Sequence, residues 1–137
     1  MTPDYMELVR AAQAARERAY APYSRFQVGA AALSASGRVF PGCNIENAAF
    51  PATVCAERAA LFSAYAAGER EITALAIVTD TSEPASPCGT CRQVIRELAP
   101  GCVVVLANMR DEVYVTTPEA LLPGAFTSRE LRAEREE

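Results

Sequence analysis

Ile72-Thr73-Ala74-Leu75-Ala76-Ile77-Val78, Cys88-Gly89-Thr90-Cys91-Arg92-Gln93-Val94-Ile95-Arg96-Glu97-Leu98 and Cys102-Val103-Val104-Val105-Leu106 are the three runs on which the fold turns. The first and third are short, apolar and rich in β-branched residues, the pattern of strands buried on both faces. The middle run is long enough for about three turns of helix and is closed by Pro100-Gly101. A strand, a helix and a second strand in that order predict a right-handed crossover that lays the two strands parallel.

Working outward from that unit, Gln27 to Leu33 and Arg38 to Ile45 read as two strands joined at Ser34-Ala35-Ser36-Gly37. A first helix is expected from Thr2 as cap and Pro3 in the first turn to about Tyr20, where Ala21-Pro22 stops it. A second helix is expected over Val54 to Ala67, ended by Gly68. Downstream, Glu112 to Val115 reads as an edge strand and Thr117-Pro118 opens a short helix. Thr127 and Glu130 form a capping-box pattern before a charged final helix. With no repeat and no linker, the expectation is one α/β domain over residues 1–137: a three-layer α/β/α sandwich with a mixed sheet of about five strands.

Composition narrows the chemistry. The chain has 137 residues, 50% of them hydrophobic and 22% charged, an ordinary balance for a folded protein. It has no apolar run near the ~20 residues of a membrane span and no leader pattern, so a soluble cytoplasmic protein without membrane attachment is expected. The net charge of −4 speaks against a polynucleotide partner, whose binding draws on a basic face. Histidine is absent, and all 13 basic residues are arginine. Serine-histidine triads, imidazole metal ligands, Schiff-base lysines and the P-loop lysine are therefore excluded within this chain. Catalysis, if present, falls to carboxylates, thiols, hydroxyls, backbone groups or a metal.

Five cysteines, Cys43, Cys55, Cys88, Cys91 and Cys102, are an odd number, which argues against a disulfide framework. Cys88 and Cys91 sit three apart at the start of the third helix, so their sulfurs can face one side. Alone, that pair is equally a redox couple, half a zinc site or two unrelated cysteines. Cys55 changes the reading, because it opens the preceding helix with Glu57 two residues on. Three thiolates fill three corners of a zinc tetrahedron and leave the fourth open, the mark of a catalytic site rather than a structural one. Cys43 and Cys102 lie in strand-like runs and read as small core residues. Two helix N-termini would favour the thiolate forms. Arg58 is either a donor to a ligand sulfur, offsetting the negative charge of the three thiolates, or a solvated helix residue. Glu57 is placed to act as general acid and base without ligating. Ligand-x-Glu followed by Pro-Cys-x-x-Cys is the arrangement of zinc deaminases, and Cys55-Ala56-Glu57 with Pro87-Cys88-Gly89-Thr90-Cys91 matches its cysteine form.

Nearly the whole chain resembles the small homotetrameric cytidine deaminases. The resemblance is carried by Ala19-Tyr20-Ala21-Pro22-Tyr23-Ser24, Phe26-Gln27-Val28-Gly29-Ala30-Ala31, Gly42-Cys43-Asn44-Ile45-Glu46-Asn47-Ala48, Cys55-Ala56-Glu57-Arg58, Ser86 to Gln93 and Leu121 to Phe126. It implies the cytidine-deaminase-like sandwich, one zinc per chain on Cys55, Cys88 and Cys91, and hydrolysis of cytidine and deoxycytidine to uridine and deoxyuridine plus ammonia in pyrimidine salvage. It further implies a substrate site of Phe26, Asn44, Ile45, Glu46 and Ala56, with Asn44 and Glu46 on the ribose hydroxyls and Phe26 against the pyrimidine. Phe126 would cover the base from a neighbouring subunit, so that the tetramer shares its active sites. Read without the resemblance, Phe26 is a core aromatic at a strand start and Phe126 a loop staple.

One position departs from the family: Phe50 stands where tyrosine is usual, which removes a hydroxyl from the sugar end and leaves the chemistry alone. Deaminases of cytosine-containing antibiotics share the zinc motif but are expected to lack the Phe-x-Val-Gly and Asn-x-Glu-Asn segments. Editors of tRNA or DNA are disfavoured by the acidic charge, and a purely structural zinc module by the open fourth position.

Overall fold

In the computed structural model, which describes residues 5–136, the chain runs α1 (Met6–Arg16), β1 (Val28–Ser34), β2 (Val39–Cys43), α2 (Ala56–Ala66), β3 (Ile72–Thr79), α3 (Gly89–Leu98), β4 (Val103–Asn108), β5 (Val113–Thr116), α4 (Pro118–Leu121) and α5 (Ser128–Glu136). A turn of 3-10 helix over Phe50–Ala52 precedes α2. The strands form one sheet in the order β2-β1-β3-β4-β5. The crossover through α3 makes β3 and β4 parallel, with Ala74 opposite Val103 and Thr79 opposite Asn108. The other neighbours are antiparallel, so the sheet is mixed as expected.

Period-two alternation sends side chains to two cores. Ala30, Ala32, Leu75, Ile77, Val104 and Leu106 pack under Ala60, Leu61 and Ile95 of α2 and α3. The intervening Ala31, Ala76, Val78, Val105 and Ala107 pack under Leu8, Val9 and Ala12 of α1. Helices thus cover both faces, giving three layers. Two strand glycines set how close they come. A Cβ at Gly29 would lie 1.9 Å from the Ala12 carbonyl oxygen, and one at Gly42 would lie 2.5 Å from both the Ala56 carbonyl oxygen and the Ala60 nitrogen. Backbone meets backbone at both points, and at Gly42 the contact presses the first turn of α2 onto the sheet.

The hairpin turn, the end of α2 and the starts of α4 and α5 follow the sequence expectations. Gly37 takes φ +92° in the hairpin. Gly68 takes φ +90° after α2 and donates to the Tyr65 carbonyl at 3.0 Å, while Glu69 N–H reaches Ala64 at 3.0 Å. The Thr117 hydroxyl oxygen accepts from Ala120 N–H at 3.1 Å. Thr127 donates its N–H to Glu130 at 2.8 Å, and its hydroxyl oxygen accepts from Arg129 N–H at 3.3 Å.

Of the boundaries that differ, three are moved by contacts from elsewhere in the chain. Helix α1 stops at Arg16 rather than near Tyr20, because its last turn tightens to i→i+3 bonds and Tyr20 N–H is taken by the Asn44 carbonyl at 2.9 Å. Strand β2 stops at Cys43, since Ile45 leaves the ladder to bridge Tyr20 on one side and Val54 on the other. That bridge also delays α2 from Val54 to Ala56, with Cys55 extended at φ −75°, ψ 156°. The expected cap at Thr2 and Pro3 lies outside the described residues.

Candidate active site

Cys55 and Cys88 are the N-cap residues of α2 and α3, both extended, and neither spends its side chain on capping. Extended caps at two helix starts on the same side of the sheet leave both sulfurs free to meet, and Cys91, one turn into α3, joins them. The three sulfurs lie within 4.8 Å of one another, with Cys88 and Cys91 at 3.3 Å. Tetrahedral zinc with bonds of ~2.3 Å holds sulfurs ~3.8 Å apart, so this donor set fits zinc with small adjustment. Among the described residues the group contains these three side chains alone. Cys102 is buried in the core below α3, where burial pushes its thiol up to about 12. Cys43 is half-buried at the end of β2, outside the group.

The electrostatics around the thiols are uneven. A hydrogen bond from Cys91, reinforced by the hydrogen bond and charge of Arg58, brings Cys55 down to about 5 against the cost of burial. Cys91 moves up, chiefly because its thiol serves Cys55 and because it is buried. Arg58 Nη2 sits 3.4 Å from Cys55 Sγ and donates to the Thr53 carbonyl at 3.2 Å. Arg58 thus lies within hydrogen-bonding reach of one sulfur of the group. A cation placed among the sulfurs displaces the remaining thiol protons.

Glu57 is only 4% exposed, in the first turn of α2. Burial is the main cause that raises its pKa, and the negative charge on Cys55 adds to it, opposed by hydrogen bonds. Glu57 lines a cavity of about 330 Å³ together with Cys55, Ala56 and Cys88. Val28, Ile77 and Thr79 give it a floor, at the start of β1 and the end of β3. Phe26, Asn44 and Glu46 line it as well. Asn44 is pinned, its Nδ2 donating to the Phe26 carbonyl at 2.8 Å and its Oδ1 accepting from Val28 N–H at 2.9 Å.

The loop entering α3 is held from outside the cavity. Arg92 Nε donates to the Pro87 carbonyl at 2.9 Å and its Nη1 to the Leu121 carbonyl at 2.9 Å. Buried Asn108 donates to the Thr81 and Ser82 carbonyls at 3.0 and 3.2 Å.

Most of the residues singled out in the sequence thus meet at one place. Two do not. Ile45 is half exposed and engaged through its backbone, and it does not line the cavity. Phe126, 59% exposed, does not line it either, and its carbonyl accepts from Gln93 Nε2 at 2.8 Å. Ser24, Thr53, Thr79 and Ser86 line the cavity without having been assigned a place in it. Ser24 carried a signal, two residues before Phe26; Thr79 marks the carboxyl end of a central strand, where α/β sheets bind ligands.

Comparison with known proteins agrees with this geometry. The family model of the cytidine and deoxycytidylate deaminase zinc-binding region matches residues 3–107. The cytidine deaminase of Halalkalibacterium halodurans is 51% identical over 129 residues, 93% of this chain and 98% of that protein. The crystal structure of cytidine deaminase from Burkholderia pseudomallei is 54% identical and superposes with a TM-score of 0.88, covering 90% of this chain and 100% of that one. The crystal structure of cytidine deaminase from Mycobacterium tuberculosis is 38% identical with a TM-score of 0.79, covering 91% of this chain and 98% of the other. A cysteine triad at two helix starts, a buried glutamate beside it and these likenesses over nearly the full length place the chain in the cytidine and deoxycytidylate deaminase family, with its zinc-binding region.

Proposed function

We propose that this chain is a zinc-dependent hydrolase that converts cytidine and deoxycytidine, with water, to uridine and deoxyuridine plus ammonia. The observation that carries the reading is the buried Glu57 beside three converging thiols, in a cavity that Asn44 and Glu46 also line. Cys55, Cys88 and Cys91 hold the zinc, which supplies a Lewis acid able to make water nucleophilic near neutral pH. Glu57 takes a proton from the attacking water and delivers it to N3 of the base while the water oxygen adds at C4. It then carries the second proton to the departing amine. A buried carboxyl beside the thiols is placed to accept and return protons in one turnover. Arg58, on Cys55, offsets part of the negative charge of three thiolates.

Phe26 packs against the pyrimidine, and backbone groups near Ala56 and Cys88 read its edge. Glu46 accepts a hydrogen bond from a sugar hydroxyl, and Asn44 offers its one uncommitted N–H to the sugar. Phe50 replaces the family's tyrosine at this end, where its ring meets Tyr23 edge-on at 5.9 Å. The test is direct: zinc-loaded protein incubated with cytidine releases ammonia and uridine in equal amounts. Folded, zinc-replete protein that releases neither from cytidine or deoxycytidine overturns the reading.

The same reading makes residues 1–137 one domain acting in the cytoplasm as a homotetramer, with a free nucleoside rather than a polynucleotide as substrate. No described helix is long and apolar enough to cross a membrane. An exposed Phe126 held by its backbone away from its own cavity supports a ring that serves an adjacent subunit. Co-refolding Phe126→Ala with Glu57→Gln chains is expected to give activity that departs from the sum of the two separate proteins. Strictly additive activity, or an active monomer on sizing, removes the shared site.

A further inference from the structure

Among the described residues, Glu46 and Glu57 are the two carboxylates lining the cavity, and no arginine makes an ion pair with Glu46. Its Oε1 accepts the backbone N–H groups of Tyr23 at 3.0 Å and Ser24 at 3.1 Å, and its Oε2 accepts the hydroxyl of Ser24. The Ser24 hydroxyl oxygen in turn accepts Phe26 N–H at 3.0 Å. Between the two, Arg25 sits at φ +57°, a left-handed conformation that a non-glycine residue adopts at a cost, so the loop needs ties on both sides. The Glu46 backbone supplies one more tie, its N–H donating to the Tyr20 carbonyl at 2.8 Å.

An ionised carboxylate offers about four acceptor directions. Three are spent on this loop, which leaves about one for a ligand and fixes where it points. Without the Ser24 hydroxyl, Oε2 is free to rotate or to take up water. Phe26 N–H loses its acceptor in the same substitution. One small side chain therefore spans the acceptor at the sugar end and the backbone of the ring at the base end.

We propose that Ser24 is a positioning residue for substrate binding: its hydroxyl sets the direction of the Glu46 carboxylate toward the sugar and ties it to the backbone of Phe26. The proposal rests on the reading of Glu46 as a sugar acceptor. Because the sugar contact is present before and during the reaction, its loss belongs in KM rather than kcat.

Steady-state kinetics with cytidine on four zinc-replete proteins test it: the parent, Ser24→Ala, Glu46→Gln and the double variant. Ser24→Ala is expected to raise KM about tenfold, as loss of a hydrogen bond to a charged group does, with kcat within about twofold. In the Glu46→Gln background the same serine substitution is expected to add less than about twofold, since its target carboxylate is gone. Ser24→Cys, close in size but a weak donor, shifts KM in the same direction and serves where the alanine protein does not accumulate. An unchanged KM in Ser24→Ala beside a raised KM in Glu46→Gln overturns the role of Ser24, as do fully multiplicative effects in the double variant or a fall confined to kcat. An unchanged KM in Glu46→Gln instead overturns the sugar-acceptor reading beneath it.

Discussion

Glu57→Gln is expected to retain zinc and fold while turnover of cytidine falls at least ~10²–10⁴-fold, the usual contribution of a positioned proton-transfer group. Gln has nearly the same shape and keeps a hydrogen-bonding oxygen, so the first turn of α2 and the adjoining cavity wall remain filled. What it cannot do is take up a proton and release it. That loss is felt twice, because the proposed reaction needs one proton delivered to the ring nitrogen and another to the amine. The burial that makes Glu57 suitable also removes substitutes: histidine and lysine are absent from the chain, and Glu57 is the sole buried carboxylate among the described residues. Zinc content, thermal unfolding and cytidine binding measured alongside turnover separate chemistry from assembly. Near-normal turnover in the zinc-replete variant assigns proton transfer to another group.

Cys88→Ala is expected to lose most of the bound zinc, with activity falling in proportion, while Cys43→Ala and Cys102→Ala keep a full equivalent. Removing one sulfur leaves two protein donors, too few to hold the metal against solution competitors. Cys102 differs only in location: its thiol is packed beneath α3 in the core, so its removal costs some packing and no ligand. A stability measurement adds a second readout. Metal that binds the folded chain raises its apparent stability, so a chelator should lower the Tm of the parent and leave that of Cys88→Ala nearly unchanged. Full zinc in Cys88→Ala beside depleted zinc in Cys102→Ala reverses the assignment.

What could be read from the sequence was set by range of interaction. Ile72–Thr79, Gly89–Leu98 and Val103–Asn108 declare themselves by local patterning, and the parallel crossover follows from their order. The converging cysteines were legible because their spacing repeats a known chemistry. Tyr20, Ile45 and Val54 were misplaced because nothing near them in sequence says that they bridge one another; the bonds that end α1 and delay α2 come from 24 and 9 residues away. Gly29 and Gly42 look like weak points in strands until helices dock on them. Ser24 looks like an ordinary loop serine, since the carboxylate it serves is 22 positions further on.

The antiparallel pairing of β1 with β3 carries a consequence for how the molecule comes together. Residues 28–66 form a hairpin and its following helix, and residues 72–108 form the crossover; each is contiguous in the chain. Cys55 belongs to the first half, Cys88 and Cys91 to the second. Neither half alone contains all three of the converging thiols. A metal held by the three thiols would therefore link the two halves and add its binding free energy to the contacts already made between them.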